Sequence, residues 1–313
     1  MLHRYRFILA RPLQFLPVIV GVSIITFVLV RLIPGDPARV LLGTKATPEA
    51  IANIRSQFGL DQPIWQQYFY FIKNLMHGEM GRSITFKIDV LQLIANRIEP
   101  TLALVFSSVL LSVLIAVPLA AVAARNEGQL IDHTVRVVST FGIGLPSFWL
   151  ALMLILLFSV SIPLLPVSGY GNTLSDKLTH LVLPSLTIAL SLSTVLMRSL
   201  RASMIDWLKS DVATAARARG MPEDVVFWRH VVPNAVVPTI NLLAVNIGWL
   251  IGGTVVVESV FALPGMGQLL VRAIFSRDYM VVQGVAMVFA CATVLVNFLA
   301  DIATVAADPR VKL

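Results

Sequence analysis

The sequence predicts an all-α integral membrane protein with six transmembrane helices and with both termini in the cytoplasm. Hydrophobic residues make up 57% of the chain and charged residues only 13%, and the mean hydropathy is +0.83. Soluble proteins carry about 25% charged residues. Six uncharged or nearly uncharged runs are each close to the roughly 20 residues with which a helix crosses a bilayer. They cover residues 12–30, 100–124, 137–165, 178–197, 231–257 and 281–300.

The orientation follows from the Lys and Arg residues of the short loops, which are most frequent on the cytoplasmic side. With a cytoplasmic N-terminus, the short external loops hold only Lys177, Arg272 and Arg277, with Arg31 at a boundary. The cytoplasmic side then holds Arg4, Arg6, Arg11, Arg125, Arg136, Arg198, Arg201, Lys209, Arg217, Arg219, Arg229, Arg310 and Lys312. The net charge of +7 is therefore mostly a consequence of topology and is poor evidence for nucleic-acid binding.

Residues 1–31 are predicted to form the N-terminus and a retained first span. Basic residues also precede the apolar core of a signal peptide, which makes cleavage the alternative. The run at 12–30 is longer than the usual core of about 7 to 15 residues, however, and it ends in RLIPGDP rather than at a small-residue cleavage site. We therefore expect a permanent anchor.

Residues 32–97 are predicted to form an external segment with two helices. Thr47 can cap the first, which begins at Pro48 and stops at Gly59. The second helix, in DQPIWQQYFYFIKNLMHGEMG, is crowded with aromatic side chains, which suit the headgroup level of a bilayer. Two positions stay open for this helix: the outer membrane surface and the core of a small external cap.

Residues 98–313 are predicted to form a five-helix core. Its spans cover 98–124, 135–160, 179–200, 234–258 and 280–304, with a cytoplasmic loop at 201–233 and an external loop at 259–279. The external loop has a Pro-Gly turn before an apolar run that is too short to span, so a re-entrant or surface helix is expected there. The single cysteine, Cys291, lies in the last run and is interpreted as a small buried hydrophobe.

The cytoplasmic loop includes AARARGMPEDVVFWRHVVPN, residues 215–234, which interrupts the apolar pattern. Ser210 can cap a helix that begins at Asp211, and Gly220 can end it in the left-handed conformation. Pro222 then starts a second helix, and Pro233 marks its end. The sequence thus predicts two short helices joined by a glycine corner.

This corner has the composition of a docking surface. Alanines in the first helix let another surface approach its backbone, and Arg217, Arg219 and Trp228 are of the types enriched at interfaces. An ordinary solvated loop is the alternative on this evidence alone.

The order of these residues resembles the EAA loop of ATP-binding-cassette importer permeases, in the branch that takes up peptides, nickel and glutathione. TAARARG followed by HVVPNAVVP places Thr214, Ala215 and Ala216 on the three EAA positions and Gly220 on the glycine. Thr214 departs from the glutamate of the general pattern. Other segments similar to this branch are IPGDPAR, FGLDQPIWQQYFYFI, HGEMGRS, GIGLPSFWLALML, HLVLPSLTIAL, IGGTVVVESVFALPGMGQLL, RDYMVVQGV and DPRVKL.

The resemblance implies the type I importer permease fold in a bacterial cytoplasmic (inner) membrane. Such a chain pairs with a second homologous permease, here as a heterodimer, and each permease docks one of two ATPase subunits. An extracytoplasmic binding protein delivers the substrate, while ATP and Mg belong to the ATPases and no cofactor or metal to this chain. The implied coupling residues are Asp211, Thr214, Ala215, Ala216, Arg217, Gly220, His230 and Asn234. Ala215, Ala216, Arg217 and Gly220 are expected to form the docking core, and Asp211, His230 and Asn234 to brace the two helices.

No catalytic site is expected on this chain. The sequence has no Walker A phosphate loop, no HExxH and no GxSxG motif, and its five histidines are scattered. Polar residues inside spans tend to face the bundle interior, either along a translocation path or in hydrogen bonds between helices. The candidates are Ser191, Ser193, Thr194, Asn241, Asn246, Trp249, Asn297 and Glu258, the last also as a gate or a contact for the binding protein.

Two other classes remain as alternatives. An ion-coupled secondary transporter usually has carboxylates within its spans, but Glu258 and Asp301 lie near span ends. A purely structural anchor does not explain the structured cytoplasmic loop. For the substrate, di- or oligopeptides are expected first, and nickel or a metal chelate, glutathione and opines are the alternatives.

Overall fold

The computed structural model describes residues 15–29, 47–57 and 61–307, and the regular elements in these ranges are helices. Gly59 and the segments IPGDPAR and DPRVKL lie outside the described residues. The helices are α1 (Phe15–Leu29), α2 (Pro48–Gln57), α3 (Ile64–Met76), α4 (Val90–Arg125), α5 (Leu130–Gly144), α6 (Ser147–Ile155), α7 (Leu174–Leu208), α8 (Asp211–Ala218), α9 (Glu223–Val226), α10 (Val232–Val260), α11 (Met266–Phe275) and α12 (Tyr279–Ala307).

Four long apolar helices can cross a membrane, namely α4, α7, α12 and the continuous segment Glu223–Val260. The predicted spans 98–124, 179–200, 234–258 and 280–304 fall within them. Helix α1 has 15 residues, and the rest of the predicted first span, 12–14 and 30, lies outside the described residues. The all-helical class is thus confirmed for the described residues, with four spans, or five if a bent pair counts as one.

The bent pair stands where the sequence predicted one straight span at 135–160. Helix α5 ends at Gly144, α6 begins at Ser147, and the two are bent by 101°. Leu145 and Pro146 between them have extended backbones, with ψ of 124° and 134°. The reason is the proline, because its ring disfavours the helical conformation of the residue before it.

The second helix of the corner does not end at Pro233 as predicted. Helix α9 continues through a π-helical turn, Phe227–Val231, directly into α10, with Pro233 in the first turn of α10. Pro233 has no backbone N–H to donate, and the π-helical turn directly before it already interrupts the regular α-helical hydrogen bonds, so the helix continues past the proline. The corner is therefore a rigid extension of the fifth predicted span.

Helix α7 is the central element, since it packs against α4, α5, α6 and α10. At its C-terminal end its buried side chains share one apolar cluster with α8 and the π-helical turn, including Leu200, Met204, Ala216 and Phe227. Another cluster joins the first turns of α4 to α11 and α12. The corner is thus packed into the core of the helix bundle.

Two smaller predictions have different outcomes. The cap of α2 is confirmed, because the backbone N–H of Ala50 donates to Thr47 Oγ1 at 3.2 Å. The burial of Cys291 is wrong, since its side chain is exposed. The buried residues of α12 are concentrated in its first turns, and Cys291 lies beyond them.

Candidate functional site

The corner is built as the sequence predicts. Ser210 Oγ accepts a hydrogen bond from the backbone N–H of Ala213 at 3.4 Å, and Asp211 stands in the first turn of α8. The chain turns at Gly220, whose φ is +77°. Within the described residues, no other part of the chain lies within 4 Å of the place of a Cβ atom there, so glycine is favoured by the backbone conformation and not by crowding.

Helix α8 has a buried and an exposed side. Ala213 and Ala216 are buried in the cluster that joins α8 to α7. Asp211, Thr214 and Ala215 are exposed. The small buried side chains let α8 lie close to α7, while the exposed side leaves its backbone accessible to another surface.

Arg217 joins three parts of the corner. Its Nε donates to Glu223 Oε1 at 2.7 Å and its Nη2 to Glu223 Oε2 at 3.3 Å, which links α8 to the first turn of α9. Its Nη1 donates to the carbonyl oxygen of Leu208 at 3.0 Å, in the last turn of α7. The Arg217 guanidinium therefore fixes the angle between α7, α8 and α9 and supplies a bracing contact that the sequence did not predict.

A second arginine connects the corner to another span. Arg125, in the last turn of α4, forms an ion pair with Asp224 of α9. Its guanidinium carbon also lies 4.5 Å from the centre of the Phe227 ring, which packs edge-on against Trp228. Helix α9 is thus in contact with α4 through Arg125 and is continuous with α10.

The loop between α4 and α5 is held against α7 by a buried carboxylate. Asp132 is 1% exposed and accepts two hydrogen bonds from Arg201, at 2.5 and 2.6 Å, and one from the backbone N–H of Gly128 at 3.0 Å. Lys209, at the end of α7, pairs with Glu127 of the same loop at 2.9 Å. The loop between α4 and α5 and the corner between α8 and α9 are therefore both tied to α7.

His230 and Asn234 lie where α9 passes into α10. Asn234 Nδ2 donates to the backbone carbonyl of His230 at 2.6 Å. The Nε2 atom of His230 is buried and has no hydrogen-bond partner among the described residues. This hydrogen bond stays within the helical segment that leads from α9 into α10.

The corner exposes an apolar surface beside the accessible backbone of α8. Val212 is 47% exposed, Val225 38% and Trp228 53%. Asp224, Val225, Trp228 and Arg229 line a shallow depression on this side of α9. Exposed aromatic and aliphatic side chains next to arginine and aspartate are typical of a protein interface.

The predicted path residues make mostly local contacts. Thr194 Oγ1 donates to the carbonyl of Ser191 at 2.7 Å, and Asn246 Nδ2 to that of Leu242 at 2.7 Å. Ser193 is buried and bonded to the carbonyl of Leu190, Asn297 is half-buried, and Trp249 is 80% exposed.

Asn241 makes a contact between two helices. Its Oδ1 accepts from Thr304 Oγ1 at 2.7 Å and joins α10 to α12. This contact supports the second of the two expected roles, a hydrogen bond between helices, over a place in the translocation path.

Glu258 is fully buried near the end of α10 opposite the corner. Its Oε1 accepts from Thr101 Oγ1 of α4 at 2.8 Å, and its Oε2 from the backbone N–H of Gln268 at 3.0 Å. Thr101 Oγ1 in turn accepts from the backbone N–H of Met266 at 2.8 Å. The side chains of Glu258 and Thr101 thus accept hydrogen bonds from backbone N–H groups in the first turn of α11. Because Glu258 is fully buried in this conformation, a partner protein cannot reach it.

Among the described residues, no three His, Cys, Asp or Glu side chains are grouped so as to hold a metal ion. The features of the site are therefore mechanical. The corner between α8 and α9 is joined to the long helices α4, α7 and α10, and α11 lies at the opposite end of α10.

Comparisons with known proteins agree with this architecture. Residues 116–313 match the family described as binding-protein-dependent transport system inner membrane component, and residues 4–105 match its N-terminal membrane component.

Among curated proteins, the probable D,D-dipeptide transport system permease protein DdpB of Escherichia coli K12 is 36% identical over 94% of each chain. The glutathione transport system permease protein GsiC of Escherichia coli K12 is 35% identical over 98% of each chain.

Two solved structures share the fold at low sequence identity. A chain of the inward-facing MetNI methionine ABC transporter aligns with a TM-score of 0.59 and 17% identity, covering 69% of this chain and 97% of that chain. An amino acid ABC transporter solved with histidines gives a TM-score of 0.53 and 16% identity, with coverages of 68% and 93%.

Proposed function

Because the chain belongs to the family of binding-protein-dependent transport system inner membrane components, we propose that it forms one half of the translocation path of an ATP-driven importer for di- or oligopeptides. It is a multi-pass protein of a bacterial inner membrane. The D,D-dipeptide permease among its relatives supports a peptide substrate, and the glutathione permease supports a small peptide-like one. Nickel, a metal chelate or an opine is the alternative cargo.

The proposed importer has five subunits: this chain, a second homologous permease, two ATPase subunits and an extracytoplasmic binding protein. This chain crosses the membrane six times, with both termini in the cytoplasm. In this topology the corner faces the cytoplasm and α11 lies on the outer side, because they are at opposite ends of α10. ATP and Mg are bound by the ATPases.

The corner is the observation that carries the proposal. Helix α8 presents an exposed backbone and apolar neighbours to a partner, and Arg217 and Arg125 connect it to α7, α9 and α4. Closure of the ATPase dimer moves the docked α8, and these contacts carry the displacement into the spans. The ATPase thereby selects one of two packings of the helices, inward-facing or outward-facing, through its differential affinity for them.

Within the corner we assign docking to Thr214, Ala215 and the apolar surface around Trp228. Gly220 sets the turn, and Arg217 holds its angle. The polar residues of α7, α10 and α12 remain candidates for the translocation path, with Asn241 in the role of a packing contact.

The test is purification of the tagged chain from its own membranes in mild detergent, with its partners identified by mass spectrometry. We expect a second permease and ATPase subunits to co-purify. Uptake in a deletion strain, measured with labelled dipeptide, glutathione and nickel, then identifies the cargo. Recovery of the chain alone, active in proton- or sodium-driven uptake, would overturn the proposal in favour of a secondary transporter.

A further inference from the structure

We propose that the exposed tip of α11 is the surface on which an acidic patch of the extracytoplasmic binding protein docks. The tip consists of the basic residues Arg272 and Arg277 and the apolar residues Ile274 and Phe275. This inference rests on the proposed function, which places α11 on the outer side of the membrane.

The base of α11 is fixed, and its tip projects. In the first two turns Met266, Gly267 and Leu269 are buried, and Glu258 and Thr101 accept hydrogen bonds from the helix backbone there. In the last turn Ile274 is 54% exposed and Phe275 85%. A large aromatic side chain so exposed on an anchored helix is costly in water and typical of a contact site.

The far end of the tip is anchored as well. Asp278, directly after the tip, is buried, and its Oδ2 accepts hydrogen bonds from Ser83 Oγ at 2.5 Å and from the backbone N–H of Thr85 at 3.0 Å. Its own backbone N–H donates to the carbonyl of Ala273 at 2.8 Å and closes the end of α11. The tip is therefore held in place at both ends by the surrounding helices and loop.

Arg277 occupies a position that favours glycine. Its φ is +54°, and the hydrogen bond from Asp278 to Ala273 closes a turn in which glycine is the usual residue at this place. A non-glycine residue in this conformation costs about 1 kcal/mol. The chain nevertheless has an exposed arginine here, and strained residues of this kind cluster at functional sites.

The charges of the tip are not neutralised by this chain. Neither Arg272 nor Arg277 has an ion-pair partner within the described ranges, and Arg272 lies close enough to Arg97 of α4 for the two like charges to interact. The carboxylate of Asp278 is directed inward to Ser83 and Thr85. Like charges kept together beside an exposed aromatic ring fit a partner surface that supplies carboxylates around an apolar contact.

The experiment uses the whole importer in nanodiscs of phosphatidylcholine and measures ATP hydrolysis as its binding protein is added. Arg277→Gly removes the guanidinium while giving the backbone the residue type that it favours, so misfolding does not explain a defect. Arg272→Gln and Phe275→Ser test the rest of the tip. Lys73→Gln, which removes an exposed external charge from α3, is the matched control.

We expect each tip variant to raise the half-saturating concentration of binding protein about threefold to tenfold, with an unchanged maximal rate. In Arg272→Gln and Arg277→Gly this half-saturating concentration should also depend less on salt, and Lys73→Gln should behave as the unchanged chain. Half-saturation that does not move in the tip variants would overturn the proposal. An equal defect in Lys73→Gln would also overturn it. A defect seen only in nanodiscs with anionic phosphatidylglycerol would overturn it too, because it would show that the tip contacts lipid headgroups. If binding protein does not stimulate even the unchanged importer, it is the proposed function that fails.

Discussion

Gly220 is the residue on which the corner between α8 and α9 turns. Its φ of +77° lies in the region that side chains disfavour, and the space around it is open. Any effect of a substitution must therefore come from the backbone. Because we propose that the corner links the ATPase to the spans, we expect its angle to affect coupling.

We predict that Gly220→Val separates ATP hydrolysis from transport. The strain, about 1–2 kcal/mol, is relieved by a change in the angle between α8 and α9 and not by unfolding of the long helices. Uptake should fall at least tenfold while the importer still assembles and hydrolyses ATP. Gly78→Val is the matched control, since Gly78 has a φ of +78° and an added Cβ there would meet only Leu91 Cδ2, at 3.9 Å, but Gly78 lies between α3 and α4. Normal uptake in Gly220→Val would contradict the assignment of the corner.

Arg217 provides a second test at this scale. Arg217→Gln removes the ion pair with Glu223 and shortens the donor to the Leu208 carbonyl. The pair is partly exposed, so we expect little loss of stability but a several-fold loss of uptake per ATP hydrolysed. Arg219→Gln is the control, because Arg219 is exposed two residues away and forms no ion pair within the described part of the chain. If both substitutions lower uptake per ATP hydrolysed to the same extent, the loss of one positive charge explains the effect and the contacts to Glu223 and Leu208 do not.

Individual residues were predictable where their partners are close in sequence. The Ser210 cap and the left-handed Gly220 depend on the next few residues only, and both could be identified from local patterns. Arg125 and Asp224 are 99 residues apart, and Arg201 and Asp132 are 69 apart. No local pattern connects such pairs, because the packing of the helices brings them together.

At the scale of elements, α11 is a short helix whose first turn is capped by other helices. Glu258 and Thr101 supply the acceptors that its own sequence lacks. Gly265 and Gly267 allow this approach, since a Cβ on Gly265 would stand 2.6 Å from Thr101 Oγ1 and one on Gly267 would stand 2.7 Å from Val255 Cα. The sequence indicated a short helix here, but it suggested a gate or partner contact for Glu258 and not this capping role.

We predict that Gly265→Ala and Glu258→Ala release α11 from the bundle. Each leaves a buried backbone N–H without its acceptor, at a cost of about 1–3 kcal/mol. Hydrogen exchange of the backbone amides at 266–268 should become at least tenfold faster in the purified importer. Gly252→Ala, at an open position of α10, is the control and should leave the exchange unchanged. Slow exchange in Glu258→Ala would contradict the capping role.

Two other elements show where periodicity fails. The apolar pattern runs through Leu145 and Pro146 without interruption, so it predicted one span where the chain bends by 101°. Conversely, Pro233 indicated a helix end, but the π-helical turn before it lets α9 continue into α10. Hydrophobicity reports burial in a membrane, whereas the backbone at a proline depends on the hydrogen bonds available around it.

On the scale of the whole molecule, the corner and α11 stand at opposite ends of one long helix, α10. Arg217 joins the corner to α7, and Arg125 joins it to α4. At the other end, Glu258 contacts both α11 and α4. We therefore expect a movement of α8 to displace the same helices that hold α11. Composition and charge bias predicted the membrane class and the orientation, but this mechanical connection depends on contacts between distant residues.

Docking of an ATPase subunit on α8 is tested most directly by photo-crosslinking from α8 in the assembled importer. A benzoylphenylalanine replaces the exposed Ala215, and a second variant carries it at Phe275 on α11 as the control. We predict that Ala215→benzoylphenylalanine forms an adduct with an ATPase subunit and that the Phe275 variant does not. If the ATPase is captured from Phe275, or is present in the complex but never captured from Ala215, the corner is not its docking site and this account of coupling is wrong.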